Sequence, residues 1–349
     1  MLYLGTKGKT MKYLLPILLI FSCQAFSQNI IRGKTIQSIS IEKIPSFFFK
    51  VSAGGQYLSY TYPQDIARPG SRGNNFLLNT RTRVITKIPG IWDPVFVANS
   101  GLMILPIEPE NYSIFSMGQL LPNNSHVLLN QPTFHIPNFK GFYQSAAKLP
   151  EANNTGETCY RVIAELRTGI HNLYDFCHGN ILIYPLGVYE KTPVQPFCVQ
   201  EKIKLPMLSK DGQFVGGVDL KTNTTSIFKI SPEGECEKVH DLGIKTGKIN
   251  FSFDGNFITY HLSRKKNAQT SAEDLLNYIA IPKTDHISDI FVYHLESKQI
   301  YRISENSKIN SMYPDFLMNG NIVFINHPND RKAKVSFTFL SLEGQGIYQ

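Results

Sequence analysis

Three aspartates set among short apolar runs are the first residues of this chain that could do chemistry. Asp93, Asp219 and Asp315 each stand near the start or end of a segment with strand character. Carboxylates that converge on one cavity can act as acid and base, or as nucleophile, on a glycosidic bond. The cysteines are the second group. Beyond residue 27 there are four, Cys159, Cys177, Cys198 and Cys236, an even number that favours disulfides in an exported protein. The runs 159–166 and 171–177 flank Arg167-Thr168-Gly169 as hairpin arms. Folding about Thr168 sets Cys159 opposite Cys177 and leaves Cys198 for Cys236 by elimination. A slip of one residue would turn one cysteine to the other face and forbid the first bridge. Buried free thiols are the alternative.

Other chemistries find little footing. No Gly-x-Ser-x-Gly elbow occurs, and the nine histidines are scattered, with no Cys or His pair at zinc-finger spacing. Gly8-Lys9-Thr10 ends like a phosphate-binding loop, but the required upstream glycine is Tyr3. No cofactor and no metal is therefore expected. Asp211 and Asp254 precede glycines and read as turn formers.

The elements that must position these groups announce themselves by repetition. Ser209-Lys-Asp-Gly-Gln-Phe-Val and Ser252-Phe-Asp-Gly-Asn-Phe-Ile are two copies of one phrase, and Phe316-Leu-Met-Asn-Gly-Asn-Ile-Val is a third. Weaker echoes begin at Ser52 and Ala98. Asp-Gly or Asn-Gly between apolar runs signals a hairpin, because glycine accepts positive φ and Asp or Asn bonds its own backbone. The residues that follow alternate with period two, as a strand does. A second strand pair trails several copies: residues 289–295 and 299–303 around Glu296-Ser297-Lys298, 75–79 and 83–88 around Thr80-Arg81-Thr82, 217–220 and 225–230 around Lys221 to Thr224. Each unit thus holds four short antiparallel strands, the content of one blade of a β-propeller. The glycines Gly55, Gly101, Gly212, Gly255 and Gly320 are spaced 46, 111, 43 and 65 residues apart. With a further unit fitted near residues 139–145, the spacing predicts an all-β propeller of six four-stranded blades, or seven if residues 179–204 form another.

Ser288-Asp-Ile-Phe-Val-Tyr-His-Leu and Tyr313-Pro-Asp-Phe-Leu-Met-Asn-Gly-Asn-Ile-Val-Phe324 resemble the WD40-like, PD40-type repeats of the TolB propeller family of bacterial periplasmic proteins. The likeness is clearest over residues 205–330 and rests on periodicity elsewhere. It implies a periplasmic binding propeller. The family's namesake carries a small α/β domain ahead of its propeller, and there is no room for one before Phe47, so its envelope-spanning role does not carry over.

Composition bounds the rest. The chain has 349 residues, 42% hydrophobic and 18% charged, which is globular. Residues 1–27 read as a signal peptide with its true start at Met11: Lys12, an apolar run to Phe21, and Ala25-Phe26-Ser27 as a cleavage site. The apolar run is shorter than the roughly 18–20 residues that span a bilayer. Cleavage removes Lys7, Lys9 and Lys12 and no acid, so the net charge of +8 falls to +5. That charge forms no long basic run, so nucleic acid is not an expected partner. Lipidation at Cys23, giving an outer-membrane lipoprotein, is the competing but weaker reading, because Phe21 fits a lipobox poorly. Residues 28–46 form an N-terminal segment able to supply a closing strand, and 47–349 form the propeller. An insertion at 263–288 opens with Arg264, Lys265 and Lys266 and continues into Thr270-Ser271 before an acidic turn and an apolar stripe, a helix start. Arg264, Lys265, Lys266, Leu275, Leu276 and Tyr278 are the candidate partner-binding residues. The expectation is an exported, periplasmic or secreted, monomeric and non-catalytic propeller that binds a protein or envelope component. The alternative is a carbohydrate-active glycosidase or lyase with acids at the central channel.

Overall fold

The computed structural model describes residues 29–42, 49–63, 73–88, 94–108, 111–116, 134–136, 141–150, 159–166, 171–177, 203–231, 235–265, 286–304, 309–328 and 334–345. The glycine turns shape them as the sequence demands. The Ser209 and Ser252 hydroxyls donate to Asp211 and Asp254, and the Phe214 and Phe257 amides donate back to those hydroxyls at 2.9 Å. Gly212 and Gly255 take φ of 73° and 75°, where a side chain would be strained. The phrase at residue 98 solves the same problem differently: Asn99, not Gly101, takes positive φ.

The strands run in chain order as β1 (Asn29–Ile30), β2 (Lys34–Ile41), β3 (Phe49–Val51), β4 (Tyr57–Pro63), β5 (Gly73–Asn79), β6 (Ile85–Ile88), β7 (Val95–Ala98), β8 (Leu102–Glu108), β9 (Asn111–Ser116) and β10 (Phe134–Ile136). They continue as β11 (Gly141–Lys148), β12 (Cys159–Leu166), β13 (His171–Cys177), β14 (Ile203–Leu208), β15 (Phe214–Asp219), β16 (Thr224–Ile230) and β17 (Cys236–Asp241). The last are β18 (Asn250–Phe251), β19 (Phe257–Lys265), β20 (His286–His294), β21 (Ile300–Arg302), β22 (Ile309–Phe316), β23 (Ile322–Pro328) and β24 (Val335–Ser341).

These strands form five sheets: β3–β6, the seven strands β7–β13, β14–β17, β18–β21 with β1 added, and β22–β24 with β2 added. Over the described residues the chain is an all-β propeller of five blades, not the six or seven expected from turn spacing. The discrepancy lies in one place. β7 and β11 each open a hairpin series, and they pair with one another in parallel, Ala146 beside Val97 and Ala147 beside Ala98. Small side chains at 146 and 147, both buried, let the two backbones approach. Two series therefore share one sheet.

Inner strands such as β15 and β20 are buried on both faces and read as near-continuous apolar runs, whereas the outer strands β6 and β17 alternate with exposed residues. On β20, Ile290 and Val292 pack toward β22–β24, while Phe291 and Tyr293 pack toward β14–β17. A buried apolar cluster fills every junction between successive sheets: Leu77 and Ile88 with Met103 and Leu105; Ala147 and Ile163 with Leu208 and Phe228; Met207 and Ile227 with Phe251 and Tyr260; Ile290 with Phe316 and Phe324; and Phe337 and Ile325 with Phe49 and Tyr60. The last cluster closes the ring. β2 pairs antiparallel with β24, so the N-terminal segment completes the C-terminal sheet. β1 just before it pairs with β21 of the preceding sheet. No helix among the described residues is long and apolar enough to cross a membrane.

Candidate functional site

Residues from β3, β7, β11, β14, β18 and β22 line one common cavity at the axis. Two of these strands carry a device that the repeat phrase does not announce. In β14 the register shifts between Lys204 and Met207, and in β22 between Met312 and Asp315. Leu205 and Tyr313, each followed by proline, take φ of 55° and 54° at these bulges, a conformation costly for a residue with a Cβ. The bulges advance the strands so that Met207, Leu208 and Asp315 reach the cavity. In β15 the bulge is accommodated by Gly217: a Cβ there would lie 2.8 Å from the Lys204 carbonyl oxygen and 3.2 Å from the Pro206 Cα.

The cavity, about 490 Å³ including the part open to solvent, has apolar walls of Val51, Val95, Phe96 and Met207. Its polar groups are Lys50, Ser145, Lys210, Asn250 and Asp315. Lys210 Nζ donates to Asp315 Oδ1 at 2.7 Å, and each side chain is only 13% exposed. The pair spans from the β14–β15 turn to the innermost strand of the last sheet, and the Phe253 ring lies 5.2 Å from the ammonium. Asn250 Nδ2 donates to the Pro314 carbonyl at 2.7 Å, bracing the β22 bulge. The turns at this end also touch one another. Asn99 Nδ2 donates to the Lys210 carbonyl, Arg161 to the Gly212 carbonyl, and the Met318 amide to the Ala53 carbonyl.

Of the two candidate acids among the described residues, Asp315 lines this cavity and Asp219 does not. Asp219 closes the β15–β16 turn, accepting the Lys221 amide at 2.8 Å and the Lys238 ammonium at 2.5 Å. Burial pushes its carboxyl up, but the Lys238 and backbone bonds outweigh that and hold it below the usual range. Asp93 lies outside the described residues. So do Lys266, Leu275, Leu276 and Tyr278 of the insertion, Cys198, and the segment 1–27 with Met11 and Cys23. The two arms of the insertion are strand: Ser263 pairs with Ser288 and Lys265 with His286. Arg264 is thus part of β19, its Nε 3.7 Å from Asp289, which is buried and bonded to Arg302 at 2.6 Å. Cys159 and Cys177 are direct partners in the β12–β13 register.

Lys210, Lys50, Phe253 and Asn250 were missed by sequence reasoning. A signal existed for three of the lining residues. Ala53, Lys210 and Phe253 occupy the same place, directly after the serine, in the phrases at Ser52, Ser209 and Ser252, and all three line the cavity. In these three copies the variable position inside an otherwise constant turn is the one that faces the axis.

No protein-family model matches this chain, and no curated protein does. Solved structures similar to it include the β-propeller domain of Cps50 (Swd1) from Myceliophteria thermophila, at 7% identity over 89% of this chain and 99% of that one, with a TM-score of 0.46. Oligogalacturonate lyase from Vibrio parahaemolyticus matches at 12% identity with the same two coverages and a TM-score of 0.46. A putative TolB from Agrobacterium tumefaciens matches at 14% identity over 75% of this chain and 80% of that one, with a TM-score of 0.38.

Proposed function

We propose that this chain is an exported, non-catalytic β-propeller that binds a cell-envelope component at the axial cavity, with residues 266–285 as a second contact. The observation that carries the reading is the state of Asp315. It is the one carboxylate among the described residues lining the cavity, and it is held by Lys210. Acid–base cleavage of a glycosidic bond calls for two carboxylates across the substrate, whereas a neutral, partly desolvated ion pair suits recognition. Export is supported by the leader-like residues 1–27 and by the cysteines. Cys159 faces Cys177 in register, and neither Cys159 nor Cys236 is a free thiol. We assign bridges Cys159–Cys177 and Cys198–Cys236 on that basis.

Capture from detergent-solubilised envelope, using the full chain, Asp315→Asn and a deletion of 266–285, tests the reading. The full chain should retain an envelope component that Asp315→Asn loses, with the deletion weakening capture further. Turnover of a glycan by the full chain, abolished by Asp315→Asn, would overturn it in favour of a carbohydrate-active enzyme.

A further inference from the structure

We infer that the outer strands β2 and β6 form a docking surface for an anionic lipid bilayer. This surface lies at the rim, apart from the axial cavity, and goes beyond the binding reading above. Each of the two strands is the outermost of its sheet, and the two sheets are neighbours across the cluster that closes the ring. Over residues 34–41 and 79–88 the chain carries four cations, Lys34, Arg81, Arg83 and Lys87, and no acid. All four are exposed, and none has an ion-pair partner among the described residues. Ile36, Val84 and Ile85 stand among them at 55%, 39% and 45% exposure.

The strand registers turn part of this set toward one gap. Ile85 is opposite Leu78 and Lys87 opposite Phe76, and Leu78 and Phe76 belong to the cluster shared with β2. On the other wall Lys34 is opposite Ser341 and Gln37 opposite Phe339, on the side of β24 that carries Phe337 into the same cluster. Residues paired across an antiparallel ladder project to one face, so Lys34 and Lys87 flank the same gap between the two sheets. Gln37 Nε2 donates to the Thr80 carbonyl at 2.9 Å, stitching β2 to the turn that carries Arg81 and Arg83. Ile36 sits beside it, at the bulge between Thr35 and Gln37.

Edge lysines alone keep an outer strand from pairing with another chain, and that role calls for no cluster of exposed aliphatic side chains. The outer strand β17, by contrast, mixes Glu237 and Asp241 with Lys238 around its one exposed aliphatic, Val239. Charges of one sign around aliphatic tips match a lipid surface. The tips enter the acyl boundary while ammonium and guanidinium groups meet anionic headgroups. A protein contact is anchored by aromatic side chains, and the three exposed apolar side chains here are all β-branched aliphatics. The nearest acid along β2, Glu42, lies past its far end, 3.8 Å from Lys334.

The test is flotation of the exported chain, after removal of residues 1–27, with vesicles of phosphatidylcholine alone or with added phosphatidylglycerol. The chain should bind the anionic vesicles, fail to bind the neutral ones, and bind less at high salt. Lys34→Glu with Lys87→Glu should weaken partitioning about twentyfold or more, from roughly fivefold per cation at an anionic surface. Ile36→Ser with Ile85→Ser should weaken it about tenfold. Lys221→Glu with Lys229→Glu, which changes net charge equally at exposed positions on another sheet, should cost about threefold or less. Melting temperatures report whether the variants fold, and Lys34→Gln with Lys87→Gln repeats the test if charge reversal unfolds the chain. Equal binding to neutral vesicles, no binding to anionic ones, or equal loss in the two reversal pairs overturns the inference. So does capture of an acidic protein that depends on Lys34 and Lys87 without vesicle binding, since that assigns the surface to a protein. Asp315→Asn should bind vesicles as wild type does, so failure of the cavity reading leaves this surface standing, and failure at the vesicles leaves the cavity reading standing.

Discussion

Acidification should destabilise this propeller through His327, and the size of the effect can be worked from its surroundings. His327 is on β23, opposite Asn310 of β22, and is 8% exposed. Burial, with a smaller contribution from the charge of nearby His261, pushes its imidazole down to about 4 from an ordinary 6.5. The sign follows from proton binding. Between those two values the unfolded chain holds a proton on this residue and the folded chain does not. Stability is therefore greatest above the unfolded value, falls as pH drops from 6.5 to 4, and levels off below. A shift of about 2.5 units at about 1.4 kcal/mol per unit gives a loss of roughly 3 kcal/mol by pH 4. That is a large part of the 5–15 kcal/mol typical of a folded domain. Carboxylates such as Asp219 also weaken the fold on acidification, so the quantity to read is a difference. Urea unfolding at a series of pH values from 8 to 4 should show wild type losing roughly 3 kcal/mol more than His327→Gln across that range. Equal losses in the two proteins would refute the reasoning, because a solvated His327 would carry no such penalty.

Other perturbations separate structural from functional residues. Gly217→Ala puts a Cβ against the Lys204 carbonyl at 2.8 Å and should cost about 1–3 kcal/mol in thermal or urea unfolding, while Gly54→Ala, which meets nothing within 4 Å, should be close to neutral. Lys238→Met strands the fully buried Asp219 carboxylate and should cost about 2 kcal/mol at neutral pH, less than a wholly buried pair because Lys238 is 28% exposed. Its penalty should shrink as the pH approaches the carboxylate range, since protonated Asp219 no longer needs the ammonium. Peptide mapping without reductant should recover a fragment joining Cys159 to Cys177; Cys159 joined elsewhere would refute that bridge.

Much of the fold was legible because its signals are local. The Ser-x-Asp-Gly phrase closes its own hydrogen bonds within five residues, at Ser209–Phe214 and Ser252–Phe257 alike. Its aspartates are bound to turn backbone and to the serine hydroxyl. The register of β12 on β13 was also local, since the hairpin centre at Thr168 sets Cys159 against Cys177. The blade number was not. Turn spacing counts hairpins, and whether two hairpin series open separate sheets depends on the parallel contact of β7 with β11, between residues some fifty positions apart with no turn to mark it. The insertion was likewise drawn too wide, because strand pairing from Ser263 to Lys265 and His286 to Ser288 continues past the residues whose pattern looked irregular.

By itself the sequence determined the strand, the turn and the blade-like repeat, since period-two apolar runs and glycine turns are decided by neighbours along the chain. It also presented Asp93, Asp219 and Asp315 as equivalent candidates. Only the tertiary structure told the two described ones apart, placing Asp219 in an outer turn with Lys238 and Asp315 at the axis with Lys210. The partners of that axial site come from sheets far apart in sequence, and a strained bulge at Tyr313 aims one of them. Closing the ring is what brings Ala53, Lys210 and Phe253 of three separate turns to a common centre, and no stretch of chain contains that information alone.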